Sequence, residues 1–212
     1  MSRKRKVFDT FEEDSPEKLR ELSKKKYTQK DLSSLTPTKK QEKFLQAYYS
    51  QTPLILEKGS AGTGKSFVAI HAALSEVFNE NNKFERLIIV RSAVETRKIG
   101  FLPGTEEEKM QVYERPYIEI IKKVIPGYKN SYNNLKALGH IEFMLSSHQR
   151  GMTYDNAIVI VDEAQNMDYP ELRTILTRVG RDSKIIIIGD TKQNDLARYR
   201  EVSGLGQLEA VM

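Results

Sequence analysis

From residue 54 onward the chain alternates short, unbroken apolar runs with amphipathic stretches. The runs are Leu54–Leu56, Leu87–Val90, Ile158–Val161 and Ile185–Ile188. None alternates apolar with polar, as a half-solvated strand would. Unbroken runs of this length predict parallel strands covered on both faces. Between them, apolar residues recur at helical spacing over Lys65–Phe78, Glu106–Val124 and Tyr169–Val179. Asp168-Tyr169-Pro170-Glu171 supplies the last of these with a cap, an early proline and a capping-box glutamate. Upstream, Pro37 is placed to begin a helix with Phe44, Leu45 and Tyr48 on one face. Residues 1–35 are polar and charged and lack such periodicity, and Asp31 to Thr38 is rich in Ser, Thr and Pro. The pattern predicts a basic, disordered arm over 1–35 and one α/β domain over 36–212. Its sheet is expected to be mostly parallel, doubly wound and built around a single core.

Chemistry enters where the first run ends. Gly59-Ser60-Ala61-Gly62-Thr63-Gly64-Lys65-Ser66 has the spacing of a Walker A loop. Gly62 and Gly64 let the main chain approach phosphate oxygens where a Cβ would clash. Lys65 is placed to reach the β- and γ-phosphates, and Ser66 to put its hydroxyl on Mg²⁺. The strand before and the helix after are the context this motif requires, and the helix N-terminus adds its dipole to the anion site. The cofactors expected are ATP and Mg²⁺.

Two further strand ends carry polar groups. Ile158-Val159-Ile160-Val161 runs into Asp162-Glu163-Ala164-Gln165, the form of a Walker B motif. Asp162 is the expected holder of Mg²⁺, directly or through water. Glu163 is the expected base for an attacking water. A kinase, whose nucleophile is a substrate hydroxyl, has no need of that second acid. Ile185–Ile188 runs into Gly189-Asp190-Thr191-Lys192-Gln193. There Gln193 is placed to touch both the γ-phosphate and the Walker B acids, so that hydrolysis moves a loop. Ahead of the first strand, Gln41 has an amide able to read an adenine edge, or is simply a solvated helical residue.

Composition narrows the classes. The 212 residues include no cysteine, which excludes disulfides, thiol nucleophiles and cysteine-ligated zinc and fits a reducing cytosol. No apolar run approaches a membrane span, and no apolar stretch follows the basic N-terminus, so a cytoplasmic, unsecreted protein is expected. The net charge of +5 lies wholly in residues 1–40, with 12 Lys and Arg against 7 Asp and Glu; the remainder balances at 22 of each. A basic arm of this kind either lies on nucleic-acid phosphates or stays a solvated tail.

Other side chains are weaker candidates. Arg178, at the end of the helix after Walker B, is either an arginine finger for a neighbour's ATP or a residue answering the helix dipole. Arg91 and Arg150 sit where loops leave strands, placed for phosphate or for an ion pair. His71, His140 and His148 show no metal spacing. Tyr48, Tyr49, Tyr113 and Tyr117 can stack on bases or belong to the core.

Together these residues resemble the PhoH family of P-loop ATPases, related to the superfamily-one helicases. The resemblance runs from about Thr36 to the end. Beyond the three motifs it includes Val90-Arg91-Ser92-Ala93-Val94-Glu95, Gly100-Phe101-Leu102-Pro103-Gly104 with Glu107-Glu108-Lys109, Leu176-Thr177-Arg178-Val179-Gly180 and Ser203-Gly204-Leu205. It departs from the family pattern at Ser92, where proline is usual, and at Met152, where an arginine is usual. The chain also stops short of a final family segment, so either it is truncated or that segment is dispensable. The resemblance implies a RecA-like sheet, an ATPase core, ring-like homo-oligomers (a hexamer among them), and RNA- or DNA-linked roles, sometimes helicase-like. The short chain and basic N-terminus resemble the phage members, which would place it in a host cytoplasm. Three classes stand: an ATPase working on nucleic acid, a nucleotide-binding switch or scaffold with slow turnover, and, less favoured, a small-molecule kinase.

Overall fold

The computed structural model describes residues 26–50, 52–92, 106–128, 130–148, 151–190 and 204–211. Five strands form one sheet: β1 (Leu54–Lys58), β2 (Arg86–Arg91), β3 (Ile141–Leu145), β4 (Ala157–Asp162) and β5 (Lys184–Gly189). Their spatial order is β1-β5-β4-β2-β3, and every pairing is parallel. All five carboxyl ends therefore share one edge of the sheet. The helices are α1 (Lys39–Tyr49), α2 (Lys65–Val77), α3 (Glu106–Val124), α4 (Ser131–Ala137), α5 (Tyr169–Leu176) and α6 (Gly204–Val211).

The apolar runs are unbroken because both faces of the sheet are covered. Along β4, Ile158 and Ile160 join one core with α1, α2, α3 and α4, while Val159 and Val161 join a second core with α5 and α6. In β5, Ile186 and Ile188 take the first side, Ile185 and Ile187 the second. Burial of each such side chain contributes about 1.5–3 kcal/mol. Strands β4 and β5 are thus the platform on which the polar strand ends are mounted.

Three elements escape the pattern. Strand β3 lies at the sheet edge and carries Glu142, which interrupts its apolar run. Helices α4 and α6 are only 7 and 8 residues long, too short for periodicity to show. The helix expected over Tyr169–Val179 ends earlier, because Val179 forms a parallel bridge with Tyr154. Pro37 does not begin α1 either. Thr38 is the cap, and its hydroxyl accepts from the Gln41 N–H.

Residues 26–35, assigned to the arm from sequence, pack on the helices. Tyr27 stacks on Phe78 with ring centroids 5.6 Å apart, and the Ser33 N–H donates to the Val124 carbonyl at 2.7 Å. The packed chain therefore begins ahead of the boundary drawn at Thr36. Residues 1–25 of the arm lie outside the described residues. Two glycines permit close approach at the other end. A Cβ on Gly189 would stand 2.4 Å from Leu205, and one on Gly204 would stand 2.6 Å from the Asp168 backbone. Helix α6 is thereby seated directly over the end of β5.

Helix α1 is fastened to the sheet by a buried lysine. Lys184 Nζ donates to the Tyr48 carbonyl at 2.6 Å, lies 4.1 Å from the Tyr48 ring centroid and is 3.6 Å from Glu76. The Tyr48 hydroxyl donates to the same Glu76 at 2.5 Å. Burial pulls the Lys184 ammonium below its ordinary value, and Glu76 opposes the shift. Removing the ammonium orphans a carbonyl at the end of α1 and leaves a carboxylate half-compensated. Lys184→Ala is expected to cost roughly 2–3 kcal/mol in urea unfolding. Lys184→Met, which keeps the apolar stem, should cost less. A loss under about 0.5 kcal/mol in the alanine variant would show that this cluster holds nothing.

Candidate nucleotide site

The Walker A segment leaves β1 and turns into α2 as its spacing dictates. Gly62 and Gly64 both take left-handed backbone, with φ of 75° and 78°. Gly64 is also the residue that caps α2, whose helix starts at Lys65. The loop borders an open cavity of about 320 Å³. Its walls are residues Ala61 to Phe67, Asp162, Glu163 and Gln165 after β4, Ile188 to Asp190 in and after β5, and Ile120 of α3.

Within this cavity the two Walker motifs touch. The Ser66 hydroxyl donates to Asp162 Oδ2 at 2.8 Å. Lys65 Nζ donates to the carbonyls of Gly59 at 2.7 Å and Ser60 at 2.8 Å, folded back along the loop it belongs to. Asp162 is only 7% exposed, and its Oδ1 accepts from the Glu163 N–H at 3.0 Å. Glu163 follows in left-handed backbone, with φ of 55°. For a residue with a Cβ this costs on the order of 1–2 kcal/mol, a strain seen where function demands it. The kink turns Glu163 out of the strand line, so that two successive residues can serve one cavity.

Three groups that sequence reasoning did not give roles complete the arrangement. Gln165 is 2% exposed. Its Oε1 accepts from the Asp190 N–H at 2.9 Å, and its Nε2 donates to Glu163 Oε2 at 2.5 Å. The backbone N–H can only donate, so it sets the amide's orientation and points the NH₂ at the carboxylate. Asp190 in turn accepts from the Ala61 N–H at 2.8 Å, which ties the end of β5 to the phosphate loop. Tyr117 of α3 donates to Asp162 Oδ2 at 3.1 Å. Burial, then the charge of Asp162, pushes the Tyr117 phenol well above its ordinary value, against the pull of Arg91, so it remains a donor. Gln165 and Asp190 were quoted in sequence only as letters of their motifs, and Tyr117 only as a base-stacking or core tyrosine. Tyr117 lies 45 residues from Asp162, and no local pattern reports such a contact.

Other expected residues fall into place less uniformly. Gln41 stands beside the loop: its Nε2 donates to the Thr63 carbonyl at 3.1 Å while its Oε1 accepts from the Thr38 N–H at 2.9 Å. Reading an adenine edge would exchange one of these bonds. Gln193 and Arg150 lie outside the described residues, as does most of the Gly100–Lys109 segment. Arg178 is not at this cavity. Its carbonyl accepts from the Tyr154 N–H at 2.8 Å, which places it near the start of β4, at the opposite edge of the sheet. Its Nε is buried and finds no hydrogen-bond partner among the described residues. Arg91 ends β2 with its guanidinium 5.9 and 6.0 Å from the Tyr113 and Tyr117 ring centroids. Ser92 donates its hydroxyl to the Asn166 carbonyl at 2.9 Å. Of the tyrosines, Tyr48, Tyr113 and Tyr117 are core, while Tyr49 is 58% exposed.

The donor set suits a hard divalent cation. A serine hydroxyl and a carboxylate adjoin a loop built for phosphate, and magnesium takes few protein oxygens and completes its shell with water and phosphate. Among the described residues no helix is long and apolar enough to cross a membrane.

Comparison with known proteins agrees with this geometry. The model of the family described as PhoH-like protein matches residues 35–212. A PhoH-like protein of Synechocystis is 41% identical over 155 residues, which cover 73% of this chain and 46% of the relative. One of Bacillus subtilis is 37% identical over 153 residues, covering 72% and 47%. Protein PhoH of Escherichia coli is 32% identical over 146 residues, covering 68% and 41%. The chain spans about half the length of the curated relatives it matches, or somewhat less. A phosphate loop, an acidic strand end and a third strand end meeting in one cavity, with a family match over all of them, lead to one assignment: the chain belongs to the PhoH-like family of nucleotide-binding P-loop proteins.

Proposed function

We propose that this protein binds ATP with Mg²⁺ and hydrolyses it, and that as an oligomer it couples hydrolysis to binding or remodelling RNA or DNA. The observation that carries the hydrolytic reading is the Ser66–Asp162 contact with Glu163 kinked out beside it. Two oxygen ligands and a separate carboxylate share one cavity with the phosphate loop. Bound Mg²⁺ supplies charge neutralisation on the β- and γ-phosphate oxygens. Lys65 exchanges its loop carbonyls for phosphate oxygens. The loop N–H groups and the start of α2 hold the anion. Glu163 accepts a proton from the attacking water, and Gln165 keeps its carboxylate aimed. Glu163 and Gln193 together suit water activation coupled to motion, which supports hydrolysis over kinase chemistry.

The wider role rests on sequence and position. The whole positive excess lies in residues 1–40, where it can neutralise nucleic-acid phosphates. Arg178 sits at the opposite edge of the sheet from its own cavity, a position compatible with acting on a neighbour's site. A ring of subunits would bring it to the next site. Gln193 is assigned the coupling between γ-phosphate loss and loop movement.

Lys65→Ala is expected to lose nucleotide affinity and turnover together, by on the order of tenfold or more in affinity. Glu163→Gln should keep ADP and ATP binding while turnover falls about 100-fold or further. Parent-rate hydrolysis by Glu163→Gln would remove the base assignment, and binding with negligible turnover in the wild type would leave the nucleotide-switch reading.

Single-stranded RNA or DNA should stimulate the ATPase. Deleting residues 1–25, which leaves the packed Tyr27 in place, should weaken binding and flatten its dependence on salt, because fewer counterions are released. Equal affinity and slope in the deletion would move the contact surface to the domain itself.

Mixing Arg178→Ala with Lys65→Ala subunits should restore part of the activity that each lacks alone, since one supplies an intact site and the other an intact arginine. A monomer with a concentration-independent specific rate would end the assembly reading.

A further inference from the structure

We propose that Tyr117 is a positioning residue of the metal site, holding Asp162 for the cation and tying that site to the seat of α3. The proposal rests on the reading of the cavity as a Mg²⁺–nucleotide site. Among the described residues Asp162 receives three hydrogen bonds: from Ser66 and Tyr117 on Oδ2 and from the Glu163 N–H on Oδ1. The last belongs to the adjoining residue and steadies the carboxylate only locally. Ser66 is the side chain that a Walker A motif gives to the metal. Once its oxygen faces a cation, Ser66 is no longer a fixed reference for Asp162. Tyr117 is then the remaining side chain that holds the carboxylate.

Its own placement is well determined. Tyr117 is 1% exposed, and its ring meets Phe143 of β3 with centroids 5.5 Å apart. The Arg91 guanidinium lies 6.0 Å from its ring centroid. Neither neighbour needs the hydroxyl, so packing alone would be served by phenylalanine. The hydroxyl is the part of Tyr117 that bonds to the site.

Tyr113 provides an internal control. It lies one turn earlier on α3, is equally buried and borders the same Arg91. Its hydroxyl finds no hydrogen-bond partner among the described residues. The two tyrosines share helix, burial and cation, and differ in the bond to Asp162.

The test measures ADP affinity by calorimetry in excess Mg²⁺ and in EDTA, for wild type, Tyr117→Phe and Tyr113→Phe. Thermal melts of the same samples check folding. Tyr117→Phe should lose about tenfold in affinity with Mg²⁺, the worth of one hydrogen bond to a charged group, and stay within about twofold of wild type in EDTA. Tyr113→Phe should match wild type in both. Mn²⁺ titration of the ADP complex by electron paramagnetic resonance should show the same weakening for Tyr117→Phe alone. Equal losses with and without Mg²⁺, or equal losses in both variants, would reduce Tyr117 to packing and overturn the proposal. So would an unchanged Mg²⁺ dependence in Tyr117→Phe. A wild type whose ADP affinity ignores Mg²⁺ would overturn the underlying site reading as well.

Discussion

Everything chemical in this protein hangs from the parallel alignment of β1, β5 and β4. Parallel pairing puts their carboxyl ends on one edge, and Lys58 at the end of β1 is in register with Gly189 at the end of β5. From those ends leave the phosphate loop, the Asp190 corner and the Asp162-Glu163 corner. The side chains that meet there are far apart in sequence: Ser66 and Asp162 by 96 residues, Ala61 and Asp190 by 129. A slip of one position would turn every side chain of the slipped strand to the other face. The apolar load of β4 and β5, packed on both sides, is what makes such a slip costly.

On that platform the polar groups form a closed chain. Ala61 is held by Asp190, Asp190 by Gln165, Gln165 by Glu163, and Glu163 follows Asp162, which meets Ser66. Each link has its donor and acceptor in complementary form, which matters where burial makes an unpaired group expensive. The strained backbone at Glu163 is sustained by this surrounding order. The chain also joins the phosphate loop to the end of β5, the strand end that leads toward Gln193.

The periphery serves the same edge. Lys184, Glu76 and Tyr48 fix the far end of α1, while Thr38 and Gln41 bring its near end to the Thr63 carbonyl. Gly189 and Gly204 let α6 close over β5 on the second face. Lys58 and Glu209 form an ion pair between β1 and α6, close to where the loop begins.

Much of this was legible in the chain itself. Ile158–Val161 and Ile185–Ile188 read as doubly covered strands because an unbroken apolar run has no solvated face to offer. Gly59 to Ser66 and Asp162-Glu163 read as a phosphate site because their chemistry needs fixed residue types at short spacing. Local pattern determined the α/β class, the phosphate loop and the acidic strand end. Tertiary structure alone decided the rest. Strand order is set by which faces pack together, so Asp190 at the loop could not be read from its neighbours. Tyr117 looks like any helical core tyrosine until α3 is laid against β4. Lys184 looks solvent-bound until the end of α1 covers it. Gln41 acquires its bond to Thr63 only when α1 docks. A contact between distant segments leaves no periodic trace along the chain, because its geometry is created by packing and not by backbone spacing.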